Sequence, residues 1–281
     1  MTANALRSAG LMAVLITLFA LIGQALGGTN GLLIAFGVAV ALNFASYWFS
    51  DRIVLRMYRG REVSRADAPQ LYDMVDRLRQ RAGLPMPRVV LIPSAQPNAF
   101  ATGRNPDHAA VAFTEGILRA LPADELAGVT AHELAHIKHR DILTSSIAAT
   151  LGSAITLLAR FAIFVPMGGN DRGGNALQGL LLMILAPLAA MLIQMAISRA
   201  REFEADRGGA EISGDPMALA RALVRLERGA EAIPAEASPS TSHMFIVNPL
   251  AGVGSGIAGL FRTHPPTDDR VARLEALAAG R

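Results

Sequence analysis

The sequence predicts a mainly α integral membrane protein, with about four transmembrane helices carrying an α+β domain built around a small sheet. Three observations lead there. The 281 residues are 52% hydrophobic and 17% charged, where an ordinary soluble domain carries about 25% charged residues, and the mean hydropathy is +0.35. The apolar surplus is gathered into four blocks. Between and after the blocks lie two long polar stretches with turn signals and both helical and alternating apolar periods. The chain has no cysteine, which excludes disulfide staples, thiolate metal sites and a cysteine nucleophile. Its formal charge of +3 is small, and Lys138 is the only lysine, so the composition carries no nucleic-acid footprint.

The first two blocks, residues 9–26 and 32–49, hold no formal charge and are separated by the uncharged turn 27–31. Each is near the length that crosses ~30 Å of hydrocarbon. A buried hairpin of a soluble protein would need a polar face, and Arg7 is the only charged side chain before Asp51. A cleavable signal peptide, cut at the small residues 25–28, is disfavoured because a second apolar block follows at once. The third block, 142–166, contains Ser145, Thr156 and Arg160, and the fourth, 176–197, contains Gln178, Pro187 and Gln194. Arginine near a helix end reaches the headgroups, and a spanning helix tolerates proline with a kink. A groove of the soluble part is the other place for these two blocks. Arg52, Arg56, Arg59, Arg61 and Arg65 follow the second block, behind Tyr47 and Trp48 as an interfacial belt, and Arg199 and Arg201 follow the fourth. The positive-inside rule then puts both termini and both polar segments in the cytoplasm. The expected organisation is a hairpin in 1–50, half a domain in 51–141, a second hairpin in 142–197 and the other half in 198–281.

Within the first half, Leu71, Val75 and Leu78 predict a helix over 69–81, stopped by Gly83. Strands are expected over 88–92, 98–102 and 109–114, the last two joined by the turn signal Gly103-Arg104-Asn105-Pro106. Pro122, with Asp124 and Glu125 behind it, opens a further helix. Residues 229–259 mix proline, serine and glycine around the apolar patch 244–247, and read as a flap over a cleft or as a linker. An amphipathic helix over 268–279, with Val271, Leu274 and Leu277 on one face, closes the chain. No internal repeat, P-loop or dinucleotide fingerprint is present.

The helix opened by Pro122 contains His132-Glu133-Leu134-Ala135-His136, an H-E-x-x-H pattern. Histidines four apart stand one turn above each other, about 5–6 Å between Cβ atoms, so both imidazoles reach one ion. Glu133 is offset around the helix, where it meets a metal-bound water without ligating the metal. A catalytic zinc site needs a third protein ligand and an open position. The metzincin pattern is excluded, because Ile142 stands where its third histidine belongs and His139 where its glycine belongs. The gluzincin arrangement takes a glutamate from a later helix. In Arg199-Ala200-Arg201-Glu202-Phe203-Glu204-Ala205-Asp206, Glu202 and Asp206 share a face and Glu204 points away. Glu202 is thus the expected third ligand, with Asp206 a supporting carboxylate that orients a ligating histidine or Arg199.

H-E-x-x-H beside a membrane hairpin, followed by S-R-x-R-E-F-x-A-D, resembles the HtpX family of membrane-embedded zinc metalloproteases, relatives of the CAAX prenyl protease. The resemblance extends to residues 98–103, to Leu121-Pro122-x-x-Glu125-Leu126, and to Thr263-His264-Pro265-Pro266 with Arg270. It implies a gluzincin-type protease domain with one zinc ion per subunit, facing the cytoplasm from the bacterial inner membrane and degrading misfolded or damaged membrane proteins. Its partners are then polypeptide substrates and the lipid bilayer. Glu133 is the general acid–base residue of that reaction. The family's placement of the His-Pro segment makes His264 the donor to the oxyanion, with His243 as a competitor. Asn98 and the strands ahead of the active helix are expected to bind the substrate backbone by strand addition. A non-catalytic membrane scaffold or transporter with an incidental H-E-x-x-H is the alternative.

Overall fold

The computed structural model describes residues 3–152, 199–232, 244–246 and 265–280. The fourth apolar block, most of the third, His243 and His264 lie outside the described residues.

The chain begins with α1 (Ala3–Met57), two helical arms joined at Gly27 and Gly28. Gly28 has φ 58° and ψ −145°, a region open to glycine and closed to residues with a Cβ. The arms run antiparallel and close. A Cβ on Gly23 would lie 2.4 Å from the Gly31 carbonyl oxygen, and Asn43 Nδ2 donates to the Met12 carbonyl at 3.4 Å. The second arm, Gly27–Met57, is the one helix among the described residues long and apolar enough to cross a membrane. Leu33, Ile34, Phe44 and Trp48 are exposed along it, a surface that water would not leave bare. The helix runs past the apolar block that ends at 49. Its last two turns expose Arg52 and Arg56 while burying Val54 and Leu55, so the anchor is continuous with the domain's packing.

Four strands follow: β1 (Arg61–Glu62), β2 (Arg88–Ile92), β3 (Ala99–Gly103) and β4 (Ala109–Thr114). Their order is β1-β2-β4-β3. β2 and β4 are parallel, with Val90 opposite Ala112; β3 and β4 are antiparallel, with Ala101 opposite Val111. The two-residue β1 pairs with β2 and is too short to leave a pattern in the sequence. β3 is therefore an edge strand. Alternation divides the side chains between two faces. Val89, Ala101, Val111 and Phe113 join the main core with α2 (Pro69–Ala82). Val90, Ile92, Phe100 and Ala112 pack instead on Val54 and Leu55 of α1. Burial on both faces is why β4 reads as an unbroken apolar run.

The remaining helices are α3 (Glu115–Ala120), α4 (Ala123–Lys138), α5 (Ile142–Gly152), α6 (Arg199–Ser213), α7 (Pro216–Ala232) and α8 (Thr267–Ala278). α4 is the central one, buried from Val129 to Ala135 and covered by α2, α6 and α7. α6 lies so near it that a Cβ on Gly209 would meet the N and Cα of His132 at 2.9 Å. In α8, Leu274 is buried and Val271 packs against the core, but Leu277 is 36% exposed. Leu277 was expected on the buried face; it falls in the last turn, where α8 extends past its cover.

Candidate metal centre

α4 is fixed at its start by Glu125, which is buried and accepts two hydrogen bonds from Arg225 of α7 at 2.7 and 3.0 Å. Two turns on, the helical repeat sets His132 and His136 side by side, with ring centroids 4.7 Å apart and Nε2 atoms 3.2 Å apart. α6 brings Glu202 to both. Its Oε1 is 3.6 Å from His136 Nε2 and its Oε2 is 3.8 Å from His132 Nε2. A tetrahedral ion with bonds of ~2.0–2.1 Å holds its ligand atoms about 3.3 Å apart. The three side chains match that spacing and form the described residues' candidate metal group.

Glu133 faces the same cleft as these three side chains. The Ala101 N–H, on the outer edge of β3, donates to its Oε2 at 2.7 Å. Burial lifts the Glu133 carboxyl to about 7, with the His136 ring and the Ala101 N–H pulling the other way. Opposite stands an apolar wall of Phe100, Met244, Phe245 and Ile246.

Behind each imidazole stands an aspartate, and behind each aspartate an arginine. His132 Nδ1 is 3.0 Å from Asp206 Oδ1, though out of line with the ring N–H, so this contact is electrostatic more than a directed hydrogen bond. Asp206 accepts from Arg270 Nε at 2.8 Å and Nη2 at 2.5 Å. His136 Nδ1 is 3.3 Å from Asp141 Oδ2, and Arg201 Nε is 3.9 Å from Asp141 Oδ1. Burial works to raise the Asp206 carboxyl, yet Arg270 overrides it and brings it down to about 2. Burial alone would lower the His136 imidazole, but Asp141, Glu202 and Glu133 outweigh it and lift it to about 9. Burial keeps His132 low despite Asp206. Positive charge is thus favoured at the point where the three ligand atoms converge, as a cation site requires.

The structure brings His132, Glu133, His136, Glu202 and Asp206 together. Arg199 is exposed at the start of α6, two turns from Asp206, and the arginine on Asp206 is Arg270. Asn98 is buried, and its side chain bonds the chain itself: Nδ2 donates to the Met244 carbonyl at 3.3 Å and Oδ1 accepts from the Ile246 N–H at 3.2 Å. Sequence reasoning gave Asp141 no role and read Arg201 as a positive charge flanking the fourth block. It noted Arg270 only as part of a motif, although an arginine one turn before Leu274 on the apolar face of α8 is a signal of a buried ion pair.

An H-E-x-x-H helix, a converging glutamate and a buried acid beside the ligand atoms define a metallopeptidase. The profile of peptidase family M48 matches residues 65–278, and the chain belongs to that family. Curated relatives called protease HtpX homolog agree along the whole length. The one from Salinibacter ruber is 64% identical over 98% of this chain and 98% of its own. Those from Methylibium petroleiphilum and Ralstonia nicotianae are each 58% identical, covering 99% and 98% of this chain and 99% and 97% of their own. Among solved structures, the crystal structure of S. mikatae Ste24p matches 96% of this chain with a TM-score of 0.52 at 18% identity. That likeness is one of fold, and the chain spans 64% of the Ste24p chain. The family resemblance read from the motifs holds, and the chain is a metalloprotease.

Proposed function

We propose that the protein is a zinc endopeptidase of the bacterial inner membrane, facing the cytoplasm and cutting misfolded or damaged membrane proteins. In this reading hairpins in 1–50 and 142–197 anchor it through about four transmembrane helices, and 51–141 and 198–281 are the two halves of the protease domain. The observation that carries it is the convergence of His132, His136 and Glu202 beside the buried Glu133. Two imidazoles and a carboxylate suit zinc, which when bound there would acidify a water and polarise the scissile carbonyl. Glu133 takes the proton of the attacking water at its carboxylate and delivers it to the leaving amine. Ala101 holds that carboxylate in place. Asp141 fixes the ring orientation of His136 through its hydrogen bond, and Asp206 holds the His132 ring electrostatically.

An extended substrate lies along the outer edge of β3. Asn98 acts on it by fixing the 244–246 wall of the cleft. His264 supplies the oxyanion donor; it precedes by three residues the helix whose Arg270 reaches Asp206. The test is proteolysis of an unfolded substrate such as casein by purified protein loaded with zinc. Glu133→Gln should keep its metal and lose activity by about 10²-fold or more. Equal activity in the variant, or a wild type that binds no metal and cuts nothing, would overturn the reading.

A further inference from the structure

The membrane-proximal end of α1 carries a cleft outside the metal centre. Trp48 is the only tryptophan of the chain and, with Phe44, Tyr47 and Phe49, makes an exposed aromatic band where the apolar arm ends. The guanidinium of Arg104 lies 4.9 Å over the Trp48 ring. Arg104 stands in the turn directly after β3, and that turn is folded tightly by Asn105, whose Oδ1 accepts from the His108 N–H at 3.0 Å. One turn beyond Trp48, the exposed Arg52 faces the same cleft. Arg88 lies there too, but it is paired with Asp51. The remaining charges are Arg52 and Arg104 against Asp107 alone, a surplus of one positive charge. Among the described residues neither Arg52 nor Arg104 forms an ion pair.

Indole rings settle at the headgroup level of a bilayer, so a basic cleft at the height of Trp48 has lipid phosphates as its nearest anions. A guanidinium stacked on an aromatic face is already oriented, and its planar fork matches two phosphate oxygens. We propose that this cleft is a binding site for the phosphate headgroup of an anionic phospholipid. The inference rests on the reading that the second arm of α1 lies in the bilayer.

The test titrates the full chain in neutral detergent with dioctanoyl-phosphatidylglycerol, with dioctanoyl-phosphatidylcholine and with inorganic phosphate, reading the emission of Trp48. A saturable change with phosphatidylglycerol is expected, with the other two at least about tenfold weaker. Arg52→Gln should weaken the phosphatidylglycerol response about fivefold, while Arg56→Gln, exposed on the same helix outside the cleft, leaves it unchanged. Arg104→Gln should weaken lipid retention similarly when bound lipid is read by native mass spectrometry, which does not depend on the Trp48 stacking. Equal responses to both lipids, an equal response to inorganic phosphate, or wild-type binding in Arg52→Gln and Arg104→Gln would overturn the assignment. Vesicle flotation separates the two readings. Protein that fails to float defeats the membrane anchor, and protein that floats but ignores the headgroup defeats only this site.

Discussion

Gly209→Ala tests whether the closeness of α4 and α6 is what assembles the metal centre. The new methyl would sit 2.9 Å from the N and Cα of His132 and 3.3 Å from the carbonyl carbon of Ala131. All three are backbone atoms of a central helix and cannot rotate away. Carbon atoms rest at about 3.5–4.0 Å, so the two helices must part by roughly 0.6–1.1 Å. Glu202 lies seven residues, about two turns, up the same face of α6, and would move by a similar amount. Metal sites accept deviations of about 0.2 Å in their bonds, so the displacement exceeds what Glu202 can absorb. We expect a loss of about 1–3 kcal/mol in stability from overpacking, and a drop of about 10–100-fold in metal affinity, the usual size when support around a ligand fails. Thermal unfolding of the metal-free protein reads the first, and competition with a chromophoric chelator reads the second. Gly37→Ala is the control, since a Cβ there meets nothing within 4 Å. A Gly209→Ala protein with wild-type metal affinity would show that α6 is free to adjust and that the helix contact does not set the site.

Other outcomes follow from the same geometry. His132→Ala, His136→Ala and Glu202→Ala should each purify without bound metal by elemental analysis, and metal retained in Glu202→Ala would move the third ligand elsewhere. Arg270→Met leaves the Asp206 carboxylate buried without its guanidinium, which should cost about 3–5 kcal/mol in unfolding free energy, with partial recovery on adding Asp206→Asn. The Asp206 carboxyl is held at about 2, below its ordinary 3.8, so the folded state binds its proton less readily than the unfolded chain. Its stabilisation is complete above pH 3.8 and fades as the pH falls toward 2. That amounts to about 2 kcal/mol, and acid unfolding of Asp206→Asn should be less steep than wild type across that window.

The residues of the candidate metal group were legible because each pair is written locally. His132 and His136 are four apart on one helix, and Glu202 and Asp206 repeat that spacing on another, so helical geometry alone put each pair on one face. Strands β2 to β4 were legible from their apolar runs, and the hairpin from two blocks around glycine. What supports the ligands was not written locally. Arg270 reaches Asp206 from 64 residues away, and its meaning depends on where α8 docks. Asp141 faces back to His136 because Arg140 turns the chain with φ 60°, a conformation that no pattern around Arg140 announces. Asn98 lies where the sequence placed a substrate contact, but its amide is engaged by Met244 and Ile246, brought in from the opposite end of the chain. The end of the first long helix was not written locally either. A charge pattern marks where lipid contact stops, whereas α1 continues to Met57 because Val54 and Leu55 find the sheet.

The two arginines explain how one small volume holds four acids. Glu133, Glu202, Asp141 and Asp206 are all buried, and so are Arg201 and Arg270. Formally the cluster carries two negative charges in excess, an expensive state inside a protein unless it is compensated. Two upward shifts run toward compensation: Glu133 holds its proton up to about 7 and His136 gains one up to about 9. A divalent cation removes the same excess, and it must displace the His136 proton, because only a neutral imidazole ligates. The guanidiniums lie on the outer acids, Arg270 on Asp206 and Arg201 toward Asp141. In the proposed mechanism those two acids support the imidazoles, while the inner pair, Glu202 and Glu133, faces the point where the ion and the water would sit. Position relative to an arginine thus separates, in that mechanism, the acids that support the imidazoles from the two that serve the ion and the water. The separation requires α6 to close on α4 and α8 to close on α6.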